Sequence, residues 1–105
     1  MFGDLGKMMK VVSEIKTKLP AMRARLDVTE YQADAGGGAV SVTVNGRMQV
    51  VDVKIAPAAL ADAAALSDML KAAVAAAQQQ AADATAAAMR ELTGGMNLPG
   101  LSDML

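Results

Sequence analysis

Six basic side chains near the N-terminus are the residues most able to bind a ligand: Lys7, Lys10, Lys16, Lys18, Arg23 and Arg25. Only two carboxylates, Asp4 and Glu14, lie among them, so residues 1–25 carry a net charge of +4. Residues 26–105 carry a net charge of −5. Cations gathered on one segment of an acidic chain can neutralise phosphate groups and release their counterions, which requires no reading of bases. The alternative for the same pattern is a solvated helix face.

A second candidate for phosphate chemistry is the glycine-rich stretch GGGAVSVTVNG, residues 36–46. In a phosphate-binding loop the glycines follow a strand and open a helix, so that backbone N–H groups meet the phosphate. Here the glycines lead into alternating valines, and the nearest stretch able to form a helix lies beyond Pro57. The stretch therefore indicates a bend between two strands and not a phosphate loop.

The residue types needed for catalysis are scarce. The chain has no Cys and no His, which removes thiol nucleophiles, disulfides, the usual zinc sites and the side chain best suited to acid–base chemistry near neutral pH. Asp62 and Asp68 lack further ligands, so helix capping is favoured over a metal site. Tyr31, Ser41 and Thr43 lie in or beside strands with no base nearby. We therefore predict no enzymatic activity, no catalytic residue, no metal site and no cofactor.

The basic segment is predicted to be an amphipathic helix. Its apolar residues alternate between spacings of three and four and form an apolar seam: Leu5, Met8, Val12, Ile15, Leu19, Met22 and Leu26. Cations flank both sides of the seam, so two copies paired in parallel would repel, and we expect the seam to pack on the protein's own helix or sheet. Pro20 removes a hydrogen bond to residue 16, at a cost of about 3 kcal/mol. A kink or break near Leu19 is therefore predicted, with Arg23 and Arg25 on a short second segment.

Alternating residues predict three antiparallel strands, over about residues 27–34, 39–45 and 47–55. The valines of the second strand, Val40, Val42 and Val44, share one face, as do Val51, Val53 and Ile55 of the third. Asn45-Gly46 is a strong hairpin signal, because both central residues of a type I′ turn need positive φ.

A long second helix is predicted over residues 63–92, which lack Gly and Pro and are rich in Ala. It would be roughly 45 Å long at 1.5 Å per residue, with Asp62 or Ser67 as its cap. Gly94-Gly95 would end it, leaving residues 94–105 as a flexible tail after a single domain of residues 1–93. The predicted fold class is α+β: a long N-terminal helix, a three-stranded antiparallel sheet and a long C-terminal helix, in the order α-β-β-β-α.

The N-terminal stretch MFGDLGKMMK lacks the apolar region of a signal peptide, and no charge-free apolar run reaches spanning length. These features predict a cytoplasmic protein. No membrane partner is expected, because Phe2 is the only aromatic residue available to anchor the basic helix.

Four stretches of the chain carry a resemblance to a known family: MFGDLGKMMK, GGGAVSVTVNGRMQVVDVKIAP, the pattern Asp62, Leu66, Asp68 and Leu70, and GGMNLPG. Together they are similar to the YbaB/EbfC family of bacterial nucleoid-associated proteins. The resemblance implies a tweezer-like homodimer, in which helical arms project from a sheet-centred core. It also implies sequence-tolerant DNA binding, a location in the nucleoid, and a role in chromosome organisation or gene expression.

The family's basic positions in the first helix match Lys7, Lys10, Lys16 and Lys18. The second helix departs from the family pattern, because residues 78–80 are Gln and their neighbours are mostly Ala, where relatives carry charged side chains. We therefore expect double-stranded DNA to bind the six basic residues of the first helix, weakly and with strong salt dependence. No aromatic residue lies between these cations, which argues against single-strand binding by base stacking. The alternative is a protein-interaction or assembly module of the same fold with little DNA binding, and protein partners other than a second copy are left open.

Overall fold

The computed structural model describes residues 2–93, and the side chains of residues 5–92. Helix α1 (Phe2–Val28) is followed by strands β1 (Glu30–Ala35), β2 (Val40–Asn45) and β3 (Val50–Ile55). A 3-10 turn (Pro57–Ala61) then leads into helix α2 (Ala63–Thr93). The predicted α-β-β-β-α order and α+β class are confirmed. The predicted tail, residues 94–105, lies outside the described residues.

The sheet is antiparallel in the order β1-β2-β3, and its core lies beneath α2. Val40, Val42 and Val44 on β2 are fully buried, each with 0% of its surface exposed. They pack in one cluster with fully buried alanines of α2: Ala73, Ala77 and Ala81. Because alanine is small, the helix can approach the sheet closely. The alanines of α2 thus supply the cover for the valine face.

Strand β3 lies at the edge of the sheet and is exposed along its whole length. Val53 pairs with Val42 and Ile55 pairs with Val40, so both point to the face that α2 covers. They nevertheless remain 41% and 37% exposed, because α2 packs mainly across β1 and β2. The alternation predicted for this strand is interrupted by a bulge, since Val50 and not Val51 pairs with Val44.

The turn between β2 and β3 differs from the type I′ turn predicted at Asn45-Gly46. Met48 has positive φ, at 66°, whereas Gly46 is not among the positive-φ residues of the described chain. The Asn45 Oδ1 atom accepts hydrogen bonds from the Arg47 N–H (2.9 Å) and the Gln49 N–H (3.1 Å), which stabilise a longer loop. Gly46 is needed for a different reason, because a Cβ there would overlap the carbonyl oxygen of Leu26.

The glycine-rich stretch forms the predicted bend between β1 and β2. Gly36, Gly37 and Gly38 have φ values of 64°, 67° and 92°, a region that other residues adopt only under strain. A Cβ at residue 36 would also overlap the Sδ atom of Met69 on α2. The triplet is therefore a scaffold feature that brings β2 back under the second helix.

Helix α1 continues through Pro20 as one helix, so the predicted break near Leu19 is wrong, whereas the kink stays a prediction. Pro20 is exposed, and the carbonyl of Lys16 that loses its partner can bond to water instead. On both sides of Pro20 the helix is held by burial, because Leu19 and Met22 pack in a cluster with Met89 of α2. Arg23 and Arg25 consequently share one helix with the four lysines.

Helix α2 begins as the sequence predicts. The Asp62 Oδ1 atom accepts a hydrogen bond from the Ala65 N–H at 3.1 Å, which caps the first turn. Ser67, the other candidate cap, instead donates its hydroxyl to the Ala63 carbonyl at 3.1 Å, within the helix. Thus α2 starts directly after Asp62 and reaches from the sheet to the side of α1.

Candidate nucleic-acid interface

All six predicted contact residues lie on α1 and are exposed. At about 100° per residue, Lys7, Lys18 and Arg25 fall within about 20° of one another, on one side of the apolar seam. Lys10 lies about 60° further round the helix and faces away from the apolar seam, so the four residues span an arc of about 80°. We call these four residues the cleft flank. The structure therefore brings together four of the six cations along one side of a continuous helix.

Lys16 and Arg23 lie on the other side of the apolar seam and form the opposite flank. They are one heptad apart, so they project in nearly the same direction. Asp27, half-buried, follows one turn after Arg23. A straight DNA duplex that contacts one flank closely cannot contact the other in the same way, because the seam and α2 lie between them. The six residues thus lie on one helix but form two separate surfaces.

A cleft of about 600 Å³ lies between α1 and the end of α2 on the cleft flank. Lys18 and Arg25 line it together with two carboxylates, Glu14 and Glu91. Its apolar lining comes from both helices: Val11, Met22, Ala88 and Leu92. The two carboxylates offset part of the attraction that Lys18 and Arg25 exert on a phosphate. The cleft flank keeps a positive balance, because Lys7 and Lys10 lie beyond the cleft.

The glutamines of α2 have structural contacts that the sequence did not indicate. Gln78 Nε2 donates to the backbone carbonyl of Met48 at 3.3 Å and so fastens the β2–β3 loop to α2. Gln79 Nε2 donates to Asp83 Oδ1 at 2.9 Å. A polar residue in an alanine tract gives no signal of such a role, because its partner is 30 residues away in the chain.

The two cations of α2 do not form a second basic patch. Lys71 is exposed on the part of α2 that packs on the sheet, whereas Arg90 lies in the last turn of the helix. Their Cα atoms are about 28 Å apart along the helix axis. In the part of the chain that the structure describes, the concentrated positive charge therefore belongs to α1.

The polar side chains outside this interface were also compared with the requirements of a metal site. Among residues 2–93, no group of three or more His, Cys, Asp or Glu side chains is placed to hold a metal ion. The Ser41 hydroxyl accepts a hydrogen bond from Gln32 Nε2 at 2.6 Å, as part of the β1–β2 pair. No helix within the described residues is long and apolar enough to cross a membrane.

A comparison with known families gives a match over almost the whole chain. Residues 1–96 match the YbaB/EbfC DNA-binding family. The chain belongs to this family. The match includes all six cations of α1, the whole sheet and all of α2, so the resemblance noted from four short stretches is confirmed. The YbaB/EbfC family is a DNA-binding family and not an enzyme family.

Individual relatives in the YbaB/EbfC family agree in length and name. A nucleoid-associated protein of Pelotomaculum thermopropionicum is 39% identical over 103 residues, which cover 96% of this chain and 98% of the relative. One of Clostridium kluyveri is 37% identical over 101 residues, covering 94% of this chain and 89% of the relative. An uncharacterized protein of Helicobacter pylori, known from a crystal structure, has the same fold: its TM-score is 0.66 at 23% identity, covering 74% of this chain and 93% of that chain.

Proposed function

We propose that this member of the YbaB/EbfC family is a nucleoid-associated DNA-binding protein that binds the phosphate backbone of duplex DNA with little sequence preference. It would contribute to chromosome organisation or gene expression from a location in the nucleoid. The observation that carries the proposal is the placement of six exposed cations on one helix of an acidic chain. The family and the names of the relatives support it.

The geometry of α1 suits backbone contact. From Lys7 to Arg25 the helix spans about 27 Å, a length that corresponds to about eight phosphates of one DNA strand. Lysine and arginine neutralise phosphates without reading bases, so such contacts confer affinity and little sequence preference. Neither aromatic residue of the chain, Phe2 or Tyr31, lies between the cations. This favours duplex backbone binding over base stacking on a single strand.

We propose further that the protein acts as a homodimer through the exposed edge of its sheet. Strand β3 has unpaired backbone groups on one side, and its apolar residues are 37–46% exposed: Val50, Val51, Val53 and Ile55. A second copy placed against this strand would bury them and bring two basic helices into one assembly. Two linked binding surfaces raise the apparent affinity for DNA well above that of one, which would offset the acidity of the remaining chain.

A salt titration tests the DNA-binding proposal. Fluorescence anisotropy with duplexes of several unrelated sequences should show binding at low salt, with similar affinity for each and a steep loss as salt rises. The variant K16E/K18E/R25E should lose most of this affinity. The matched control is R47E/K71E/R90E, which changes the net charge equally but reverses three cations that lie outside both α1 and β3.

Circular dichroism should establish that both variants keep their helices. Undetectable binding of the native chain at low salt would refute the proposal. So would equal losses in the two variants, because total charge and not the α1 surface would then govern affinity.

The competing function is a protein-interaction module with little DNA binding. The acidic pI of about 5.2 and the Ala/Gln-rich second half of α2 are the observations on its side. Neither the family nor the relatives' names favour it. Capture from lysate with and without nuclease separates the two functions, since a partner that survives nuclease treatment supports the module.

A further inference from the structure

The apolar seam of α1 is covered over only part of its length. Ile15, Leu19, Met22 and Leu26 are buried in the cluster that contains Met89 of α2. The three seam residues nearer the N-terminus form what we call the open seam, and they remain exposed: Leu5 (56%), Met8 (43%) and Val12 (39%). The open seam carries large side chains with the same spacing as the buried part, so it is an unpartnered helix face.

The cause is the point at which α2 ends. Leu92 packs against the buried cluster beside Val11, and α2 finishes at Thr93. Because α1 runs toward the sheet and α2 runs away from it, the described part of α2 ends near Val11, next to the open seam. The next segment of the chain is residues 94–105, GGMNLPGLSDML. The ten residues that follow Gly94-Gly95 include five large apolar side chains: Met96, Leu98, Leu101, Met104 and Leu105.

We infer that residues 96–105 pack against the open seam of the same chain and complete the hydrophobic contact that α2 begins. The distance allows it, because Val12 to Leu5 spans about 10 Å of helix, whereas ten extended residues reach about 33 Å. Gly94-Gly95 permits the change of direction, and Pro99-Gly100 favours an irregular path over a third helix.

Charge favours this occupant over the same helix of a second copy. Residues 94–105 contain one carboxylate, Asp103, and no cation. Lys7 and Lys10 lie within the stretch of α1 that carries the open seam. A second α1 placed here would bring the lysines of two chains together, whereas the segment brings a carboxylate to them. The contact would also stabilise the end of α1, since a helix end without tertiary packing is only marginally stable.

Cysteine cross-linking in the full chain tests the inference without interference, because the native sequence has no Cys. In M8C/L98C, mild oxidation should give a disulfide within one chain, which runs as a compact monomer on non-reducing gels. The matched control is K10C/L98C, since residue 10 lies on the side of α1 roughly opposite to residue 8. We expect cross-linking at residue 8 to be at least about tenfold faster than at residue 10. Equal rates would overturn the inference, and so would a product of twice the mass, which would assign the open seam to a second copy.

Hydrogen exchange gives a second measurement that needs no cross-link. In L98S/L101S, amides of residues 5–12 should exchange at least about tenfold faster than in the native chain, while those of β2 stay unchanged. The control S102A alters the same segment without removing an apolar side chain. Unchanged exchange at residues 5–12 in L98S/L101S would contradict the packing of this segment on α1. Both measurements are made without DNA, so their outcome is independent of the DNA-binding proposal.

Discussion

The division of the basic surface into two flanks leads to a prediction that can be tested with two matched variants. K18E/R25E reverses two cations of the cleft flank, and K16E/R23E reverses the two cations of the opposite flank. Both pairs lie one heptad apart on the same exposed helix and change the net charge by the same amount. Any difference between them therefore reports which side of α1 faces DNA.

The expected magnitude follows from the number of cations on each flank. The logarithm of affinity falls with the logarithm of salt with a slope of about −0.9 per neutralised phosphate. Four contacts from the cleft flank give a slope of about −3.6 for each helix, or about a 150-fold loss between 50 and 200 mM salt. Removing Lys18 and Arg25 leaves two contacts, a slope of about −1.8 and about a 12-fold loss. K16E/R23E should keep the original slope.

The assay is fluorescence anisotropy of a labelled duplex, recorded at several salt concentrations for the native chain and both variants. The comparison uses the ratio of slopes, which is the same whether one helix or two helices of an assembly contact the duplex. Equal slopes in the two variants would refute the division into flanks. A greater loss in K16E/R23E would place DNA on the opposite flank, against the reasoning from the cation count.

Three further predictions concern the scaffold. Ala77→Leu should lower the free energy of unfolding by about 1–3 kcal/mol in urea denaturation, because Ala77 is fully buried against the sheet; the same change at exposed Ala76 should have little effect. Gly37→Ala should lower the free energy of unfolding by about 1 kcal/mol, because residue 37 has positive φ. Gly36→Ala should lower it by more, because the added Cβ would also overlap Met69. Val53→Glu should convert the proposed homodimer to monomers in light scattering, without loss of helix.

Local chemistry accounts for the parts of the fold that the sequence predicted correctly. The order of elements, the valine face of β2, the glycine bend and the Asp62 cap depend on residue periodicity and on contacts between neighbours in the chain. These effects act within a few residues, so a single sequence is enough to reveal them.

The features missed by the sequence depend on tertiary contacts. Pro20 leaves α1 unbroken because packing on α2 holds both sides of it, which offsets its local cost. Gly46 was assigned to the turn by its φ preference, whereas the structure requires it for the close approach of Leu26. The sequence correctly placed the four lysines on α1, but it assigned Arg23 and Arg25 to a separate short segment. The division of the six cations into two flanks depends on the continuity of that helix.

The close approach of Gly46 to Leu26 holds the C-terminal end of α1 against the β2–β3 loop. That loop also contacts α2, because the Met48 carbonyl accepts a hydrogen bond from Gln78. The C-terminal end of α1 is therefore held against a loop that is itself fixed to α2. Lys7 lies about 28 Å from Leu26 along the helix axis, roughly five helical turns away. For α1 turning about Leu26 as a rigid body, a displacement of 1 Å one turn from Leu26 becomes about 5 Å at Lys7, which is more than the rise of one base pair. A side chain added at Gly46, far from Lys7 and Lys10, would thus shift the phosphates within reach of these two lysines.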